Sequence, residues 1–155
     1  MPFNNFWSGS DFPTLIENAL EYLSEWQSSF DTITREDIVA ASGRFSSTEI
    51  PFISGGVGLI QPGTIFLYMM SDGLYGKLQV VEYEYNLTIK WVTSDPRGGD
   101  VSSGPELVIR GAWSCDLDKG VEVKPNGYED FSWIIKSTGV DQFAVPTNKA
   151  LFGIY

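Results

Sequence analysis

Residues 81–93, VEYEYNLTIKWVT, decide the fold class. Val81, Tyr83, Tyr85, Leu87, Ile89 and Trp91 take the odd positions, and Glu82, Glu84, Asn86, Thr88 and Lys90 the even ones. Strand side chains point to opposite faces in turn, so the segment has one apolar and one wet face. Only Val92 breaks the pattern. The pattern predicts a strand over 76–93, far longer than the usual length of about five or six residues. The adjacent apolar pair Val80-Val81 interrupts the alternation and points to a bulge. Tyr83, Leu87, Ile89 and Trp91 are expected to be buried, and Glu82, Glu84 and Lys90 exposed. A strand of this kind belongs to a curved antiparallel sheet with one covered side.

On its N-terminal side, Phe12, Leu15, Ile16, Ala19, Leu20, Leu23, Trp26 and Phe30 follow helical spacing. Pro13 and the capping-box pair Thr14 and Glu17 suit a helix start, so a helix is expected over 13–28. A second, short helix fits Arg35–Ala41, with Thr34 as its cap and Gly43 as its stop. Thr64–Met70 is a dense apolar run that reads as a strand buried on both faces. Ser71-Asp72-Gly73 is a turn signal. Further on, 94–105 reads as a loop, Glu106–Cys115 as a strand and 116–128 as a polar loop. Within the Glu106–Cys115 segment, Leu107, Ile109, Gly111, Trp113 and Cys115 share a face. Segments 130–136, 142–145 and 150–155 read as closing strands. The sum is an α+β fold: an N-terminal amphipathic helix and a short helix packed on a curved antiparallel meander of about six strands. A rolled or barrel-like sheet is the alternative.

The chain of 155 residues suits a single domain over 1–155 and buries roughly 70% of its unfolded surface. An apolar fraction of 43%, of which aromatics supply much, excludes disorder. Twenty acidic residues against ten basic ones give a net charge of −10, which excludes nucleic acid and anionic membrane surfaces as partners. A cationic partner or ligand is favoured instead. Cys115 is the sole cysteine, so no disulfide forms within the chain. Neither a cleavable leader nor a membrane span is visible in the sequence, and a cytoplasmic protein is expected.

Histidine is absent, which removes the usual Ser–His and Cys–His nucleophilic sites, the common zinc sites and the commonest general base. No glycine-rich nucleotide loop is present either. Glu82 and Glu84 are the weak catalytic candidates, since paired carboxylates can divide acid and base roles as in glycoside hydrolysis. Their simpler role is a solvated strand face. The Asp116-Leu117-Asp118-Lys119-Gly120 loop offers two carboxylates, but it lacks the third ligand and terminal glutamate of a calcium loop. No metal and no cofactor are therefore expected. Glu17, Glu21 and Glu25 form an acidic ladder at helical spacing that would suit a basic protein partner. Tyr83, Tyr85, Trp91 and Trp113 form the fourth group, with rings that suit either a core or a pocket wall. The Asn86-Leu87-Thr88 triplet matches a glycosylation acceptor, but the predicted strand would enclose it.

The leading expectation is a non-enzymatic binding protein with an aromatic-lined pocket for a small apolar or cationic organic ligand. The alternatives are an antitoxin- or immunity-like acidic module that docks a basic partner, and a carboxylate-only hydrolase.

Overall fold

The computed structural model describes residues 29–136 and 139–155. The chain divides into two compact units, 1–33 and 34–155. In the first, residues 29–32 are helical. The helix expected over 13–28 lies outside the described residues.

The second unit opens on helix α1, Arg35–Ala41, as the sequence predicts. Thr34 caps it with a full capping box: the Asp37 N–H donates to Thr34 Oγ1 at 3.2 Å, and the Thr34 N–H donates to Asp37 Oδ2 at 2.8 Å. A short 3-10 turn, Ser42–Arg44, ends it. Ile38 is the residue α1 buries, on the side facing β3 and β4.

The described residues then form eleven strands: β1 (Ile50–Ser54), β2 (Val57–Gly58), β3 (Ile65–Met69), β4 (Tyr75–Tyr83), β5 (Leu87–Ser94), β6 (Asp100–Ile109), β7 (Ser114–Asp116), β8 (Val121–Val123), β9 (Phe131–Lys136), β10 (Asp141–Pro146) and β11 (Leu151–Ile154). They make two antiparallel sheets, ordered β2-β1-β10-β9-β7-β8 and β11-β3-β4-β5-β6. The architecture is thus mostly antiparallel β. It corrects the expected α+β meander of about six strands, and the sheets do not close into a barrel.

Both sheets contribute to one apolar core. Rings join them in pairs: Phe52 of β1 with Phe66 of β3 at 5.9 Å, Tyr83 of β4 with Trp133 of β9 at 5.9 Å, and Phe131 of β9 with Phe152 of β11 at 5.9 Å. Trp133, Tyr68, Ile89 and Leu117 are fully buried. β3 is buried on both faces from Ile65 to Tyr68, as its sequence indicates.

The long strand expected over 76–93 is two strands joined by a tight hairpin at Glu84-Tyr85-Asn86. The reason the alternation hides the turn is geometric. Cross-strand partners share a face, and Tyr83 pairs with Leu87. Their numbers differ by four, so odd residues stay on the core face through the turn. The bulge anticipated at Val80-Val81 is present, with a register shift between Val80 and Glu82. It moves the core face from even residues (Leu78, Val80) to odd ones (Tyr83, Leu87, Ile89, Trp91). Leu87, Ile89 and Trp91 are buried and Glu82 and Glu84 exposed, as expected, while Tyr83 and Lys90 are half-buried.

Glu106–Cys115 is likewise corrected. β6 begins at Asp100, inside the expected loop, and a turn at Ala112 (φ 67°) separates it from β7. Gly104 is part of β6 because the Trp91 ring lies across it; a Cβ there would stand 2.8 Å from that ring. Among the described residues no helix is long and apolar enough to cross a membrane. The three closing strands β9, β10 and β11 fall where the sequence indicates, and the expected 116–128 loop contains the short strand β8.

Candidate functional site

The bulge and hairpin of β4–β5 turn one group of side chains away from the core. Glu82 of β4 pairs with Thr88 of β5, and Thr88 with Val108 of β6, giving a continuous row across the sheet. Around this row lies an open cleft of about 460 Å³. Glu82, Glu84 and Glu106 line it, with Tyr83 and Tyr85 beside them. All three carboxylates are exposed, and no Lys or Arg is among the lining residues.

The two tyrosines differ. Tyr83 is tied into the fold: its hydroxyl donates to the carbonyl oxygens of Ile60 at 2.6 Å and Phe52 at 3.2 Å, and its ring meets Phe52 edge-on at 5.1 Å. Burial pushes its hydroxyl pKa up. Tyr85 stands at the hairpin tip, 65% exposed, over Gly111. A Cβ at Gly111 would come within 2.8 Å of the Tyr85 ring. The other two rings of the expected set are elsewhere. Trp91 is a core residue whose indole N–H donates to Ser102 Oγ at 2.9 Å. Trp113 lies under the Arg110 guanidinium at 3.8 Å, with Arg110 also paired to Glu122. Burial pushes the Glu122 carboxyl up, but the Arg110 hydrogen bonds and charge hold it below its ordinary range. So the structure brings together Tyr83, Tyr85, Glu82 and Glu84, adds Glu106, and leaves Trp91 and Trp113 out.

Between the sheets, the described residues leave little room. An apolar cavity between the sheets, among Phe52, Phe66, Leu87 and Phe131, measures about 20 Å³. Organic ligands occupy sites of about 300–1,000 Å³. Glu17, Glu21 and Glu25 lie outside the described residues. Asn86 of the glycosylation triplet is at the exposed hairpin tip, not inside a strand.

A second acidic group was only half legible. The register of β7 with β9 pairs Cys115 with Phe131, and so brings Asp130 beside Asp116. Asp118 follows in the turn to β8. One carboxylate oxygen from each of Asp116, Asp118 and Asp130 lies within 4.8 Å of the others. The third carboxylate that the Asp116–Gly120 loop lacks thus comes from Asp130. The turn is pinned from below: the Asp130 carboxylate accepts the Leu117 N–H at 2.7 Å, and the Leu117 carbonyl accepts Thr93 Oγ1 at 2.8 Å. Burial pushes the Asp130 carboxyl up to about 7, aided by the charges of Asp118, Asp116 and Asp72 and opposed by the Leu117 N–H. Burial, then Asp72 and Asp116, also raise Asp118. The adjoining Glu129 moves the opposite way: burial raises it, but the N–H groups of its own residue and of Asn126, Gly127 and Tyr128 together hold it low. Cys115, fully buried, has its thiol pushed well up by burial and by Asp130, and is no nucleophile.

No protein-family model matches this chain, and no curated protein or solved structure matches it.

Proposed function

We propose that this chain is a non-enzymatic binding protein that takes a cationic organic ligand in the open cleft over β4, β5 and β6. The observation that carries the reading is the convergence of Glu82, Glu84 and Glu106 with Tyr83 and Tyr85 on one cleft of about 460 Å³. Three carboxylates attract a cation, and a tyrosine face adds roughly 0.5–2 kcal/mol when a cation sits over it. The net charge of −10 favours the same sign of ligand at longer range. An apolar ligand has less support, because the cavity between the sheets is too small for one. A cytoplasmic setting belongs to the same proposal.

The test is a titration with a tetraalkylammonium salt and a cationic amphipathic dye, followed by fluorescence and calorimetry. Saturable binding that weakens with added salt and falls on Tyr85→Ala or Glu84→Gln is the expected result. Binding unchanged in both variants would overturn the proposal. Two other readings give different outcomes. Docking of a basic protein through Glu17, Glu21 and Glu25 would respond to charge removal there and not in the cleft. Hydrolysis by Glu82 and Glu84, the reading that the cleft also accommodates, would show turnover of a glycoside that Glu82→Gln abolishes.

A further inference from the structure

The loop between β8 and β9 does not line that cleft and poses a different chemical question. It holds Asn126-Gly127, and no other asparagine of the chain precedes a glycine. We propose that Asn126 is a deamidation site, with the backbone nitrogen of Gly127 as the nucleophile and the Glu129 carboxylate as the latch that slows it. Water is the only co-reactant, and nothing is oxidised or reduced. The Gly127 nitrogen loses its proton to solvent base and bonds to Asn126 Cγ. The Cγ–Nδ2 bond breaks, and the side-chain nitrogen takes a proton from water and leaves as ammonia. Water then opens the five-membered succinimide at either carbonyl, which leaves aspartate or isoaspartate at position 126.

Three observations support the reaction here. Asn126, Gly127 and Tyr128 are exposed, so water and base reach the reacting atoms. Gly127 has no Cβ to shield its nitrogen, and the space around it is open: an added Cβ would meet nothing within 4 Å. The other described asparagines, Asn86 and Asn148, are followed by Leu87 and Lys149, whose side chains crowd the corresponding nitrogen. Finally, the Tyr128 N–H donates to Asn126 Oδ1 at 2.9 Å. Negative charge develops on that oxygen when Cγ is attacked, and a donor already aimed at it stabilises the charge.

The latch is Glu129, which is 5% exposed. Its carboxylate accepts the Asn126 N–H at 3.1 Å, and the Gly127 N–H bonds to it as well. Deprotonating Gly127 breaks a charge-assisted hydrogen bond and sets a second negative charge beside the first. Attack is therefore slow while the latch is closed. The Glu129 carbonyl accepts Thr147 Oγ1 at 2.7 Å and the Asp130 carbonyl the Thr147 N–H at 3.0 Å, which ties the loop to the turn between β10 and β11. Reaction undoes this arrangement. Isoaspartate carries the main chain through Cγ, one methylene longer, and both products add a carboxylate beside Glu129. The N–H donors are then displaced from a carboxylate that water scarcely reaches. The loop is thus a one-way covalent switch.

The experiment incubates the full chain in mildly alkaline buffer and follows position 126 by peptide mapping in a mass spectrometer. Hydroxylamine trapping of the succinimide and enzymatic methylation of isoaspartate are read alongside. Asn126 should convert while Asn86 and Asn148 stay intact, with ammonia released in step and a rate that rises with pH. The converted chain should melt at a lower temperature than the untreated one. Unfolding the chain in urea should speed conversion on the order of tenfold, the effect of losing one charge-assisted hydrogen bond. Glu129→Ala should speed it by a similar factor in the folded state, which near-ultraviolet circular dichroism checks. Glu129→Gln keeps an acceptor oxygen without the charge and is the second variant, with a smaller acceleration expected. Conversion of Asn86 or Asn148 ahead of Asn126 would overturn the site, as would an intact Asn126 in folded protein after the unfolded chain has fully converted. Equal rates in folded and unfolded chain, or a rate unchanged in the folded Glu129 variants, would overturn the latch.

Discussion

Among the described residues, three carboxylates meet in an open cleft at Glu82, Glu84 and Glu106, and three more meet in a half-buried knot at Asp116, Asp118 and Asp130. The formal charge is the same; the access of water is not. In the cleft, solvent screens each charge, and a ligand gains from several weak contacts together. In the knot, Asp116 and Asp118 keep partial contact with water, but Asp130 is buried, and loss of solvent pushes its carboxyl up to about 7. Burial, not charge count, therefore decides whether an acidic group stays charged in solvent or is driven to hold a proton.

The largest expected effect concerns the buried carboxyl of the knot. The Asp130 carboxyl has an ordinary value of 3.8 and a folded value of about 7. A raised folded value means that the native state binds the proton more tightly than the unfolded one. The resulting stability is fully present below pH about 4 and is lost as pH rises toward 7. At 1.36 kcal/mol per unit, the loss is at most about 4 kcal/mol. Urea midpoints should fall between pH 5 and pH 8, and Asp130→Asn should flatten that slope. A flat profile in the unsubstituted chain would remove the contrast between the two acidic groups.

Gly120→Ala should come next. The position combines a left-handed φ of 66° with the Trp91 ring and Ser102 Oγ against the Cα. We expect a loss of about 2–3 kcal/mol in chemical denaturation, with unchanged binding of cationic dye. A variant that lost dye binding while still folded would show that the two acidic groups are coupled.

The cleft should give the smallest numbers. Tyr85→Ala and Glu84→Gln should each cost about 0.5–1 kcal/mol in affinity for a tetraalkylammonium ion, read by calorimetry. Neither should shift stability by more than about 0.5 kcal/mol, because both side chains are exposed. A large destabilisation by Tyr85→Ala would mean that its packing on Gly111 is structural and would blur the comparison.

How much of this was readable in advance depends on the range of the interaction. Local signals held: the Thr34 cap and its seven-residue helix, the Ser71-Asp72-Gly73 turn, the bulge at Val80-Val81 and the doubly buried run of β3 all follow from neighbours in the chain. The hairpin at Glu84–Asn86 was hidden because its register preserves odd–even parity, so the alternation looks unbroken. The Glu82 and Glu84 pair was legible, but Glu106 reaches the cleft only because β6 pairs with β5. The four rings looked equivalent in sequence, yet Trp91 joined the core and Trp113 went beneath Arg110.

By itself, then, the sequence determined that the chain forms a half-buried antiparallel sheet, that it carries a net charge of −10, and that it has no histidine of its own for catalysis or metal binding. These properties depend on composition and on a period of two, which no later contact can alter. Tertiary structure decided the rest. It packed a second sheet across the core, and it opened the acidic cleft on the face turned outward by the bulge. It also completed the aspartate group, because Asp130 meets Asp116 only through the β7–β9 register, fourteen residues along the chain. Strand pairing joins residues regardless of their separation in sequence, and the charge density of a site is fixed by what that pairing buries.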